Sequence, residues 1–477
     1  AIDAATNTGP SASVEVVLNA TVTPSIEAIA PPIGLAGSEV VLTGVGFGTL
    51  TGTVSLMATE TGTITVRLNV SRWTDGQIVA GLPVNSRTGR LIVQRPDGVQ
   101  ADAPLSVVAR VPDQVVDQVY PFEMIGTGQE NPPVSALYRE DGEFNSYDAA
   151  VERFFDATNE NVPFGPQVEA NRSTWIAGTY SPSLDRFMFI ASNQTLSMTS
   201  VLVSSSTIAP DPFRLPIAVT AGDADRVSVV ITEGSIAGSV PAMVAFTING
   251  AVRTATVSDA RFQPFDGFYA TTSTVQQYSG VTIARKADGA VLMAHRTTTG
   301  TVSVMTLRDN PAGVAPNQFT ARPTATPPAL GERFEILAAP MTPGGAERFL
   351  LAYEHLQPDG STQVRLLWAD DFGQSVGLAP LGPGDRRLDD VGLVLREGAV
   401  YAAIVSTRVQ GSAELTYTEV PLSAVGTPGA QDGAWPGVIV DIAPDDHYAR
   451  LGCKPFLQAT CPIVWMGDDV GVLFQRR

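Results

Sequence analysis

Apolar and polar residues alternate in short runs along much of this chain, and glycine and proline cut the runs at close intervals. From Pro24 to Val108 the segments are brief and two-faced, as in Val41–Gly48 and Gly89–Val93. That is the period-2 pattern of half-buried strands in a sandwich. Ser13–Val22 also has strand composition, so residues 1–22 are expected to be a lead-in strand or linker. From Thr174 onward one apolar run follows another: Trp175–Tyr180, Arg186–Ala191, Ser200–Ser204, Arg226–Thr232 and Ala242–Thr247. Gly280–Arg285, Ala290–Ala294, Val302–Leu307, Arg348–Tyr353, Gln363–Trp368, Val391–Leu395, Val400–Val405, Glu414–Val420, Ile463–Gly467 and Val470–Phe474 continue the series. Tight-turn signals separate several of these runs, as at Ala287-Asp288-Gly289, Pro358-Asp359-Gly360 and Glu397-Gly398. One stretch predicts a short helix, Asn145–Phe155, capped by Asn145 or Ser146 with Tyr147, Val151, Phe154 and Phe155 on one face.

The starts of the later blocks fall roughly 50–55 residues apart, the size of a four-stranded propeller blade. Six blocks are visible, and residues 110–172 could supply an irregular first blade or be an insertion. The expected fold is therefore all-β, with a sandwich at 23–109 and a β-propeller at 110–477. Seven blades are favoured and six are the alternative. No regular Trp-Asp ending, recurrent glycine pair or Ser-x-Asp-x-Gly-x-x-Trp box marks a known propeller family.

The first unit carries a resemblance. Pro24-Ser-Ile-Glu-Ala-Ile-Ala-Pro-Pro32, Gly37, Val41-Leu-Thr-Gly-Val-Gly-Phe-Gly48, Trp73-Thr-Asp-Gly-Gln-Ile78, Leu82-Pro83, Gly89-Arg-Leu-Ile-Val93 and Pro96-Asp97-Gly98 follow in order. This pattern resembles an IPT/TIG domain, an immunoglobulin-like sandwich. The resemblance implies a spacing, tethering or binding module, with Phe47 as a core anchor between turn glycines. A similar module helps bind DNA in Rel-type transcription factors. Here Arg67, Arg72, Arg87, Arg90 and Arg95 are matched by Glu27, Glu39, Glu60, Asp75, Asp97 and Asp102, so no basic face exists to carry that role.

Composition narrows the partners. The chain has 477 residues, 44% apolar and only 16% charged, with a net charge of −18. A chain this long needs at least two cores. Its acidity argues against nucleic acid, which needs clustered cations, and against anionic membrane surfaces. No apolar run approaches the roughly 20 residues that span a bilayer. Ala1–Pro10 is polar and has no basic n-region, which suits a mature N-terminus after signal removal. The two cysteines, Cys453 and Cys461, lie in one short segment. A disulfide there would close a small loop, contribute about 2–3 kcal/mol at most and imply an oxidising compartment. Two buried free thiols are the alternative, and zinc lacks further ligands nearby.

Candidate chemistry is sparse. His295, His355 and His447 show no ligand spacing; His295 and His355 each end an apolar strand in neighbouring blocks, where equivalent positions could meet at a ring axis. Asp370-Asp371, Asp389-Asp390, Asp445-Asp446 and Asp468-Asp469 are read as turn residues, with loop-bound calcium as the functional alternative. Asp446-His447 has no serine in a nucleophile context, so a hydrolytic triad is not supported. Of five tryptophans, only Trp435, in Gly433–Gly437, sits in a loop setting where a sugar could stack. The expected function is a secreted or cell-surface bacterial binding or structural protein, with a sandwich stalk or docking module carrying a propeller. Its expected partners are other surface proteins, copies of itself or a glycan. A propeller hydrolase or lyase acting on extracellular polysaccharide is the alternative; no catalytic or cofactor-binding residue can be named for it.

Overall fold

In the computed structural model, residues 22–58, 65–110, 278–297, 330–369, 375–378, 386–408, 413–427, 437–443 and 448–454 are described; outside these only strand segments and positions 435, 457 and 461 are. The lead-in segment 1–21 therefore lies outside the described residues.

The N-terminal unit is built from nine strands: β1 Ser25–Ala30, β2 Ile33–Leu35, β3 Glu39–Val45, β4 Thr53–Ala58, β5 Thr65–Arg67, β6 Asn69–Trp73, β7 Gln77–Gly81, β8 Gly89–Gln94 and β9 Gln100–Arg110. One sheet runs β1-β3-β7-β6 and the other β5-β4-β8-β9, with β2 added parallel to β9. The alternation read from the sequence is the burial pattern: Val40 and Leu42 of β3, Val54 and Leu56 of β4, Ile78 and Ala80 of β7, and Leu91 and Val93 of β8 all enter one core. Phe47 is fully buried in it and meets Trp73 edge-on at 6.5 Å. Gly46 and Gly48 on either side have φ of 73° and 78°, a left-handed region that a side chain would disfavour. Asp75 Oδ1 accepts the Gly48 N–H at 2.7 Å, and Gly48 O accepts Trp73 Nε1–H at 3.0 Å, so this corner is fixed from both sides.

The chain then makes β10 Val116–Asp117 and six four-stranded meanders. These are β11 Phe122–Ile125, β12 Ser135–Glu140, β13 Glu143–Asp148 and β14 Arg153–Asp156; β15 Ser173–Ser181, β16 Arg186–Asn193, β17 Met198–Ser204 and β18 Pro210–Leu215; and β19 Ala224–Ile231, β20 Ala242–Ile248, β21 Ala251–Val257 and β22 Tyr269–Ala270. The next three are β23 Tyr278–Arg285, β24 Val291–Thr297, β25 Val302–Leu307 and β26 Phe319–Ala321; β27 Leu330–Pro340, β28 Glu347–Leu356, β29 Thr362–Trp368 and β30 Val376–Gly377; and β31 Arg386–Arg396, β32 Ala399–Arg408, β33 Ala413–Pro421 and β34 Gly437–Ala443. The last sheet uses β35 Tyr448–Leu451, β36 Ile463–Gly467 and β37 Val470–Arg476. The first strands β11, β15, β19, β23, β27, β31 and β35 neighbour one another in turn, and β35 returns to β11. The circuit closes, so the second unit is a seven-bladed propeller.

Its closure explains why residues 110–172 are hard to read. The last blade takes only three strands from the C-terminal region. Its fourth side comes from upstream: β10 pairs with the start of β37 (Val116↔Gly471) and the end of β9 pairs with its finish (Phe474↔Arg110). One sheet therefore runs from the closing blade into the sandwich. Ile33 and Val108 of the sandwich join Val405, Tyr417, Val440, Leu451, Cys453, Cys461 and Ile463 of the last two blades in one apolar cluster. Arg90 adds an ion pair to Glu397 in the turn between β31 and β32. The sandwich is thus fused to the propeller by a sheet and a core, a tighter joint than a stalk would have.

The expected helix at 145–155 is a correction. Residues 145–148 end β13 and 153–155 belong to β14, while 149–152 lie outside the described residues. The aromatic residues that suggested a helical face are also good strand formers, and antiparallel pairing within the sheet decides the outcome. Among the described residues only Leu422–Ala424 is helical, a single 3-10 turn.

Candidate functional site

Each innermost strand of a blade has one edge that its own sheet leaves unpaired, so its N–H groups need other acceptors. Three blades solve this with side chains. Thr282 of β23 accepts the Ile336 N–H of β27 at 3.2 Å. Glu354 of β28 accepts Leu388 N–H of β31 at 2.8 Å, and also Arg333 N–H at 3.1 Å. Asp390 of β31 accepts Leu451 N–H of β35 at 2.7 Å. A buried side chain thus latches the next blade at three successive joints.

The same region carries a bulge. The pairing of first and second strands skips at Ser173/Trp175, Ala224/Arg226, Tyr278/Val281, Leu330/Phe334 and Leu388/Asp390. The extra residues re-aim side chains near the start of the inner strand. In the sixth blade the extra residue is Asp389. Its carboxylate is fully buried and takes Thr407 Oγ1–H at 2.5 Å, Arg333 at 3.0 Å and Arg387 at 3.4 Å, while Arg450 donates to its carbonyl at 2.7 Å. Asp390 next to it holds Lys454 Nζ at 2.8 Å, and Lys454 also reaches Glu335 at 3.4 Å. The result is a charge network spanning the fifth, sixth and seventh blades.

The electrostatics follow from burial and pairing. Burial alone would push the Asp390 carboxyl up, but Lys454 and Arg450 outweigh it and hold it below the ordinary carboxylate range. Burial brings Arg386 down to about 10, with Glu414 opposing and Arg408 adding to the shift. Arg386 donates to Ser406 Oγ at 2.7 Å, and Arg408 pairs with Glu414 at 2.9 Å. His295 is buried in β24, and burial lowers its pKa to about 4, so it is neutral in the folded chain.

These positions revise the sequence reading of the candidates. Asp389-Asp390 is not a turn pair: it lies inside an eleven-residue strand, where cations engage both carboxylates, the Thr407 hydroxyl donates to Asp389 and the Leu451 N–H donates to Asp390. That arrangement leaves no carboxylate cage for calcium there. Asp370-Asp371, Asp445-Asp446, Asp468-Asp469 and His447 lie outside the described residues. Among the described residues no group of three acids, histidines or cysteines could hold a metal ion. His295 and His355 sit in the second strands of adjacent blades, but not at equivalent positions: His295 matches Tyr353, and His355 matches Thr297. Neither is on a strand at the ring axis. Cys453 and Cys461 are joined as a disulfide, with Cα atoms 4.8 Å apart, and both are fully buried. Trp435 is half-buried against the core of the fifth and sixth blades. The network residues Arg333, Glu335, Glu354 and Lys454 escaped sequence reasoning, because none has a motif and their partners lie tens of residues away.

No known family model matches this chain, and no curated protein does. Solved structures resemble it distantly. An auxiliary nutrient binding protein from Bacteroides ovatus is 10% identical, with 95% of this chain and 98% of that chain covered at a TM-score of 0.42. The BP39L lectin from Burkholderia pseudomallei is 13% identical, with 76% and 96% covered at 0.48. AofleA from Arthrobotrys oligospora is 8% identical, with 64% and 84% covered at 0.43. At these scores the likeness assigns no function to this chain. The residues themselves give an immunoglobulin-like β-sandwich followed by, and fused to, a seven-bladed β-propeller.

Proposed function

We propose that this chain is a bacterial recognition protein working outside the cytoplasm, in which an IPT/TIG-like sandwich and a propeller act as one rigid body. The observation that carries this reading is the charge network itself. Buried carboxylates and cations fix the starts of the inner strands in three adjacent blades, and each described carboxylate there is engaged in fastening the fold. A scaffold held this firmly presents its connecting loops in a fixed arrangement, which suits recognition. The buried disulfide supports an oxidising compartment. The ligand is a glycan or a surface protein of the same setting. The direct test incubates the intact protein with a glycan array and with polysaccharide substrates, and follows both retention and product release. Saturable retention without turnover is the expected result. Steady release of shortened or unsaturated products would replace this reading with the enzymatic one.

A further inference from the structure

We propose that the end of the sandwich remote from the propeller is a docking surface, and that its occupant is this chain's own segment Ser13–Val22. β9 starts at this end with Gln100 and finishes at Arg110, where it pairs with the closing blade; its eleven residues span roughly 35 Å of extended chain. Four of the seven large apolar side chains that the described residues leave exposed lie at the remote end: Val22, Val45, Leu50 and Val99, open by 57%, 43%, 71% and 40%. Arg95 ties together the loops that carry them. Its guanidinium donates to Val22 O at 3.0 Å and to Gly46 O at 3.2 Å, and its backbone N–H donates to Val99 O at 2.9 Å. Leu50 shares the loop between β3 and β4 with Gly48, which faces the Arg95 side chain. Asp97 pairs with Arg95 and offsets its charge. Exposed apolar side chains gathered in this way mark a surface that something covers.

The chain enters the sandwich through this patch. A Cβ on Gly46 would meet Val22 O at 2.8 Å and Thr23 O at 3.1 Å, so the entering backbone is pressed against the β3–β4 loop, beyond the Ser25↔Val45 pair that begins β1. The residues leading up to that point have the period of a strand. Val14, Val16, Leu18, Ala20 and Val22 alternate with Ser13, Glu15, Val17, Asn19 and Thr21, which puts the one charge, Glu15, opposite the fully apolar face. An extended segment with one apolar face needs a surface to bury it, and its own last residue already sits in one. Tethering makes the docking intramolecular, which a separate partner would match only at about millimolar concentration. The inference goes beyond the recognition reading: with this end covered, foreign ligands are left to the propeller loops.

The test is hydrogen exchange of the intact protein, read over peptides within residues 13–22 and compared with a free peptide of the same sequence. Exchange at least tenfold slower in the protein is expected, at a level independent of protein concentration. Leu50→Asp alters the patch and Leu18→Asp alters only the segment; each should speed exchange in 13–22 at least tenfold and leave β7 and β8 as protected as before. The two variants cover each other should one fold poorly. A segment that exchanges like the free peptide overturns the proposal and leaves the patch to a foreign partner. Protection that survives both substitutions in folded protein also overturns it. So does protection lost on dilution together with a dimer mass in light scattering, which would make a second copy the occupant.

Discussion

Replacing Asp390 tests the idea that buried charge pairs hold the propeller closed. Asp390 is 1% exposed, and its two oxygens do separate work: Oδ2 accepts the Leu451 N–H of the closing blade at 2.7 Å, and Oδ1 holds Lys454 Nζ at 2.8 Å. Asp390→Asn keeps an acceptor for Leu451 but takes from the buried Lys454 ammonium the carboxylate it meets at 2.8 Å, with Glu335 farther off at 3.4 Å. Breaking one side of a buried pair typically costs about 3–5 kcal/mol. Asp390→Ala also orphans the Leu451 N–H, for about 1–3 kcal/mol more. The double variant Asp390→Asn with Lys454→Met removes the uncompensated charge and should recover most of the loss, since buried pairs replaced together are often neutral. Hydrogen exchange read peptide by peptide is the suitable assay, because two fused units need not unfold as one. Protection should fall first in β35–β37 and in β9. If Asp390→Asn protects these strands as well as the parent, or if the double variant is no better than the single one, the latch argument is wrong.

Five further outcomes are expected. Acid should weaken the same joint: the Asp390 carboxyl is depressed in the fold, so its contribution is complete above the ordinary value of 3.8 and is lost as pH falls below it, which exchange in β35 at stepped pH would record. His295 acts higher on the scale; its pKa falls from 6.5 to about 4, so the unfolded chain binds the extra proton between these values and stability drops by about 3 kcal/mol as pH falls through that window. Denaturant melts of His295→Phe should lack that slope. Cys453→Ser with Cys461→Ser should lower thermal stability by about 2–3 kcal/mol for so short a loop, and Gly392→Ala should also destabilise, because its Cβ would press on Cys453 Sγ and meet Cys453 O at 2.9 Å. A thermal-shift series covers both. By contrast, Arg90→Ala, at an exposed ion pair with Glu397, should cost under about 1 kcal/mol in the same assay.

Strand type was legible wherever one face is wet and the other buried. Gly89–Gln94 buries Gly89, Leu91 and Val93 and half-exposes Arg90, Ile92 and Gln94, so Arg90 and Gln94 show its period in the letters while Ile92 does not. The inner strands were legible for a different reason: Val391–Val394 is buried throughout, so it appears as an unbroken apolar run. The charges inside that strand defeated the same logic. Asp389-Asp390 looks like a loop pair because two adjacent carboxylates in a buried strand are costly without cations, and apart from Arg387 those cations are distant: Arg333 and Lys454 lie 56 and 64 positions away. Residue spacing holds no trace of such pairing.

Ring closure was hidden for a related reason, and its cost explains where the charges lie. The closing blade joins Val116 to Gly471 and Arg110 to Phe474, so it forms only when chain segments more than 350 residues apart meet. Such contacts carry a closure entropy that grows slowly with length but is larger than for any meander joint. The six meander blades need only local hairpins. The seventh must be held from outside its own sequence: its Leu451, Arg450 and Lys454 bond to Asp389 and Asp390 of the sixth blade, and the sandwich residues Ile33 and Val108 share an apolar cluster with its disulfide. Removing the sandwich should therefore open the propeller. A chain starting at residue 111 leaves Arg476, Gln475 and Phe474 without the partners Val108, Ala109 and Arg110, and exposes the cluster that Val108 and Ile33 cover. Size-exclusion with light scattering should show it aggregated or expanded, and hydrogen exchange should show β37 unprotected. If instead it stays monomeric with β37 as protected as in the full chain, the two units are separable and the sandwich is a stalk after all.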